Sequence, residues 1–378
     1  MISNPETLEK HGARIPYLDG LRGIAAIIVM YFHCILAFSP NHPIAWYIDG
    51  QLMVAVFFVM SGYVLTDAYS RATDHPANRI ASRIIRLYAP AISAFFLATI
   101  IDFLANPISR TLAKKTGWHL LGAWSNHPSL AIRVSDLAGT FVGYKDSGLL
   151  HLSTLIPLDS SVCVPLWTIS YELLGSILII TLTQALKRSY PTWIAVVISG
   201  VLVFGIREIG LFIIGHLLRQ WSPQRRGARY RTIASCSALL GFVAINHLGW
   251  DFHQARLDAT LSGLLNHPSP VNALKSAGGA LIVAFVLAFR PIQAALESRP
   301  ATFLGGLSFP IYLVHWPIVV GAGSIMYAQG HKNPNTIFLC SLVIVIPYAL
   351  LFSALIDKPA IRISRTPLVL QRRSQSLA

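Results

Sequence analysis

Arg22 and His33 are separated by ten residues in PYLDGLRGIAAIIVMYFHCILAFSP. On a helix, eleven residues rise about 16 Å through roughly three turns, so the two side chains share one face. Arg22 is the last charge before an apolar run, and His33 lies inside that run. A guanidinium can hold an anionic group, and a neutral imidazole can take a proton from a reacting hydroxyl and return it. Asp19, three residues before Arg22, is placed to orient the guanidinium. A helix-packing histidine would explain the residue type at position 33, but not its register with Arg22.

Other residue types in the chain suit the same chemistry. Arg79, Arg83 and Arg86 in RIASRIIRLYAP recur at four and three, and so form one helical face. Forked guanidinium contacts match phosphates, and anchoring to lipid headgroups is the competing reading. Glu172 in PLWTISYELLGSILII sits inside an apolar segment, where a carboxylate needs a partner or a role. Trp167 and Tyr171 beside it suit an interfacial aromatic belt as well as a substrate wall. His315 in LSFPIYLVHWPIVV lies between Pro310 and Pro317, with Tyr312 three residues before it. A satisfied histidine at a kink explains His315 as well as a site does. Tyr171, Trp167, Tyr312 and His315 are the candidate donors to an oxyanion. Ser61 and Gly62 in FFVMSGYVL read as small residues that let helices approach, with no direct chemistry expected of Ser61. Nucleophile elbows and glycine-rich phosphate loops are absent. The cysteines (Cys34, Cys163, Cys236, Cys340) are far apart and form no metal-ligand spacing, so neither a disulfide framework nor a metal is expected.

The elements that must position these residues are membrane helices. Of 378 residues, 54% are hydrophobic and only 12% are charged, about half the charged share of a soluble domain. Apolar segments fall near 23–40, 51–69, 87–105, 164–186, 192–206, 208–221, 232–249, 274–289, 302–328 and 336–356. The polar stretch ahead of the first segment, and that segment's length, predict a retained helix rather than a cleaved signal. With both termini in the cytoplasm, 21 of the 30 Lys and Arg residues fall inside. That bias explains the net charge of +14 without a nucleic-acid partner. The expected fold is all-α: a polytopic transmembrane bundle of about ten helices. Residues 1–15 form a cytoplasmic segment, 16–357 the membrane domain and 358–378 a basic tail. Short surface or re-entrant helices are expected near 130–142 and 149–158.

Taken in order, these motifs resemble the acyltransferase-3 type membrane acyltransferases, which include enzymes that O-acylate bacterial surface polysaccharides and Nod factors. The resemblance rests on YLDGLRGIAAIIVMYFH, FFVMSGYVL, the Arg83–Arg86 pair, PLWTISYELLGSILI and LSFPIYLVHWP, and it spans nearly the whole chain. It implies an acyl-CoA donor, acetyl-CoA foremost, an acceptor hydroxyl on a carbohydrate or other molecule, and His33 as the essential histidine. PLWTISYELLGS carries one acid where many members have two. With the residue chemistry, this places coenzyme A phosphates on Arg83 and Arg86 with Arg22 nearby. Glu172 would orient the acceptor or the histidine, and a bacterial inner membrane is the expected location. A proton-coupled transporter or flippase using His33, Glu172 and His315 is the alternative from another class, and a non-catalytic membrane scaffold is a third.

Overall fold

The computed structural model describes residues 15–39, 49–116, 130–142, 161–187, 207–221, 227–254 and 270–366. Among them every regular element is helical. In chain order these are α1 (Pro16–Phe38), α2 (Gly50–Arg71), α3 (Pro76–Thr116), α4 (Leu130–Val142), α5 (Trp167–Lys187) and α6 (Arg207–Trp221). There follow α7 (Ala228–Gln254), α8 (Pro270–Ala288), α9 (Arg290–Leu296), α10 (Arg299–Ala328), α11 (Pro334–Phe352) and α12 (Lys358–Ser364). A 3-10 turn, Val164–Leu166, leads into α5, and a π-helical turn, Ser353–Asp357, joins α11 to α12.

Six of these helices are long and apolar enough to cross a membrane: α1, α2, α3, α5, α10 and the continuous α11–α12 rod. Residues Leu274–Ala288 and Arg290–Leu296 make a seventh span only if the 95° bend between them is included. The expected ten crossings are therefore six or seven among the described residues. The segment at 208–221 is the 15-residue α6, too short to span alone, and 192–206 and 149–158 lie outside the described residues. The amphipathic patch at 130–142 is the 13-residue α4.

Helix α1 begins at Pro16, nearly two turns before the expected boundary at 23. Proline is suited to a first helical position, and Leu18 and Leu21 carry the buried face upstream into the core. Arg22 therefore lies within the helix, as its spacing with Asp19 and His33 requires. The start of α1 packs alongside the start of α10, so the two run parallel. A Cβ at Gly23 would collide with the backbone of Leu304 and Gly305, and one at Gly305 with the carbonyl of Asp19. This backbone contact fixes the register of the pair. Helices α2 and α6 meet in the same way, Gly62 against Phe212 and Gly215 against Val59.

Prolines inside the bundle leave carbonyls that must find other donors. Pro317 withholds a donor from Leu313, whose carbonyl accepts from the Cys163 thiol at 3.7 Å. At the α8–α9 bend the Gln293 amide donates to Val286 and Leu287 carbonyls at 2.8 and 3.0 Å. α9 then turns back onto α1, where the Leu296 carbonyl abuts Gly20. Arg71, Arg79, Arg219, Arg290 and Arg299 all lie near the helix ends that meet at the Arg22 end of α1, which becomes the basic end of the bundle.

Candidate active site

The parallel register of α1 and α10 brings His33 and His315 to the same level. Their Nδ1 and Nε2 atoms are 2.8 Å apart, and the rings stack with centroids at 5.1 Å and 9° between planes. The chain itself fixes the tautomers. The Ile311 carbonyl can only accept, so the Nδ1–H of His315 donates to it at 3.0 Å. Nε2 of neutral His315 is then an acceptor, and the Nδ1–H of His33 donates to it. The Nε2 lone pair of His33 is not used by this pair. His315 is fully buried and His33 only partly, so His33 is the ring that a substrate can reach. Trp316 packs edge-on against His33 at 5.0 Å and limits its rotation.

One turn towards the basic end, Tyr312 lies 5.9 Å from His315 between ring centroids. Its hydroxyl is 3.1 Å from that of Thr168 and donates to the Pro165 carbonyl at 3.2 Å. Trp167 stands edge-on to Tyr171, 5.5 Å away, and both rings pack on Phe58. Tyr171 is fully buried, and Trp167 keeps partial exposure.

A second tier lies towards the basic end. Glu172 Oε1 accepts from Arg83 Nη2 at 2.6 Å and from the Ser61 hydroxyl at 2.8 Å. Arg83 Nε donates to Ser176 Oγ at 2.9 Å, and Ser176 donates to the Glu172 carbonyl at 2.6 Å. The carboxylate expected beside His33 is thus held by an arginine expected on phosphates. Its depth follows from α2. Gly50 abuts the Phe32 ring, next to His33, and Ser61 lies eleven residues further along, about 16 Å towards the basic end. The Glu172 charge still reaches the Tyr312 phenol, which lies between the tiers.

Arg22 is oriented by Asp19 as its spacing suggested, Nη1 to Oδ1 at 3.4 Å. Arg86 is exposed and lies within electrostatic reach of Arg22 and Arg83, with Asp357 of the π-helical turn opposing them. Arg79 is buried: it donates to Asp74 Oδ1 at 2.9 Å and sits 5.8 Å from the Tyr69 ring. Sequence reasoning gave no role to Ser176, Thr168, Trp316 or Asp357, and read Ser61 only as a small packing residue. Ser176 follows Glu172 by four residues, a spacing that could have flagged it. The other contacts join separate helices and leave no local signal. Among the described residues no group of His, Cys, Asp and Glu is arranged to hold a metal ion.

A family model described as "Acyltransferase domain" matches residues 15–356. O-acetyltransferase PaAT-1 of Phomopsis amygdali is 24% identical, covering 80% of this chain and 72% of its own length. Acyltransferase clz18 of Cochliobolus lunatus is also 24% identical, covering 91% and 92%. Protein 2 in picA locus of Rhizobium radiobacter is 31% identical across 25% of this chain and 52% of its own. No solved structure matches.

Proposed function

The chain belongs to this acyltransferase family, and from that premise we propose that it moves an acyl group, acetyl foremost, from acyl-CoA to a hydroxyl of a carbohydrate or other lipid-linked or extracytoplasmic acceptor. The acetyl preference is supported by the relative named an O-acetyltransferase. The observation that carries the mechanism is the His33–His315 pair on the same helix face as Arg22, with the arginine tier about 16 Å away.

Arg86 and Arg22 hold the coenzyme A phosphates at the basic end. Arg83, paired with Glu172, shapes the wall beside them. The pantetheine arm runs along the α1 face and carries the thioester to His33. His33 Nε2 takes the proton of the acceptor hydroxyl while the oxygen attacks the thioester carbonyl. The carbon–sulfur bond then breaks, and the departing thiolate takes that proton back from His33. Nε2 of His315, accepting from Nδ1–H throughout, stabilises the transient imidazolium. Trp167, Tyr171 and Tyr312 line the acceptor side, and Glu172 positions Arg83 and Ser61. The basic end faces the cytoplasm, in the proposed case of a bacterial inner membrane, and the acceptor approaches from the opposite side.

Purified protein supplied with radiolabelled acetyl-CoA and a membrane glycan extract tests this reading. Label is expected to pass to the extract and to be lost in His33→Gln. Thioester consumption that is indifferent to His33 would reject it.

A further inference from the structure

Helices α7, α8 and α9 enclose a groove of about 380 Å³ near the basic end, away from the histidines and the inner arginine tier. Its walls are apolar: Leu239, Phe285 and Phe289, with the two phenyl rings stacked at 5.1 Å. Arg231 and Arg290 also line it, and no acidic residue does. The Nε–H of Arg231 is buried without a hydrogen-bond partner among the described residues. The lining hydroxyls cannot answer a ligand in its place. Thr232 donates to the Ala228 carbonyl and Ser235 to that of Arg231, so their hydrogens are committed within α7. Apart from the weakly donating Cys236 thiol, the uncommitted donors among the lining residues are therefore guanidinium N–H groups. The outer face of α7, with Ile233, Leu240 and Val243, is exposed, so the groove opens beside a surface suited to lipid tails.

We propose that this groove binds an anionic glycerophospholipid, with its phosphate on Arg231 and Arg290 and an acyl chain against Leu239, Phe285 and Phe289. A buried N–H needs an acceptor, and a phosphate oxygen supplies one with full charge. Two cations with no carboxylate favour a headgroup of net negative charge over a zwitterionic one. The apolar wall favours a lipid over a soluble phosphate, which would gain nothing from it. Arg231 and Arg290 lie in the first turns of α7 and α9, at the basic end of the bundle, which is the depth at which headgroups would meet them. The ligand would brace the α8–α9 bend, whose far end presses on Gly20 of α1.

The full-length protein, purified in a neutral detergent, should be titrated with short-chain phosphatidylglycerol, phosphatidylcholine and inorganic phosphate, following the thermal unfolding midpoint. Phosphatidylglycerol is expected to raise the midpoint, and the other two are not. In Arg231→Gln/Arg290→Gln the apparent affinity for phosphatidylglycerol should fall about tenfold or more. Leu239→Trp, which narrows the apolar wall and leaves both cations in place, should weaken binding as well. Equal response to phosphatidylcholine, an unchanged response in either variant, or full competition by inorganic phosphate would overturn the proposal. Displacement by coenzyme A would do the same, because it would assign the groove to the donor.

Discussion

In the proposed mechanism, removing His33 deletes the proton acceptor, whereas removing His315 deletes only the group that aims it. His33→Ala and His33→Gln should each lower turnover by about 10²–10⁴-fold while the protein stays folded, measured as acyl transfer beside a thermal melt. His315→Gln keeps an acceptor for the Nδ1–H of His33, and His315→Phe does not, so turnover should fall further in the phenylalanine variant. A reversed order would reject the relay. The arginines should separate by phenotype. Arg83→Ala removes the ion-pair partner of the part-buried Glu172 carboxylate, which keeps the Ser61 hydroxyl, and should cost about 1–3 kcal/mol of stability. Arg86→Ala, at an exposed side chain, should leave the melt unchanged and weaken coenzyme A binding about tenfold in calorimetry. Residue chemistry was legible where it was local. The Asp19–Arg22 contact follows from helical spacing, and His33 and His315 both stood out as ionisable groups in apolar runs. Their pairing, and that of Glu172 with Arg83, joins helices whose alignment no spacing encodes.

At the scale of elements, the site depends on how closely α1 and α10 approach. Gly305→Val would push its side chain into the carbonyl of Asp19 and should cost about 1–3 kcal/mol, with activity falling more than stability because His33 and His315 separate. Gly306 has open space where a Cβ would stand, so Gly306→Val is the matched control and should behave nearly as the native protein in both assays. Hydropathy identified the six spanning helices because each carries a long apolar run. Among the described residues, the runs in the short α6, in α7 and in the bent α8–α9 pair do not by themselves make straight spans, because hydropathy records burial and not direction. The apolar run at 23–40 is shorter than α1, since Asp19 and Arg22 interrupt it while Leu18, Gly20 and Leu21 stay buried.

At the scale of the whole molecule, the two ends of the bundle differ in charge among the described residues, and the proposed orientation puts the basic end in the cytoplasm. With the native cysteines replaced and activity checked, Thr73→Cys should label with an impermeant thiol reagent only from the cytoplasmic side, and Lys332→Cys only from the other. Both residues are exposed, at opposite ends of the bundle. The reverse pattern would invert the orientation. The same architecture has a consequence in time. His33 and His315 are 282 positions apart, so α1 is made long before the α10 segment that it must meet. While the ribosome is still short of α10, the nascent chain already holds Arg22, Arg79, Arg83, Arg86 and Glu172, but the imidazole of α1 has nothing to fix its tautomer. The glycine face of α1 also waits against lipid for the helix that will cover it. On the proposed mechanism, a chain made only as far as α9 would already hold the arginine tier yet lack the paired histidines, and would be chemically silent in the membrane it occupies.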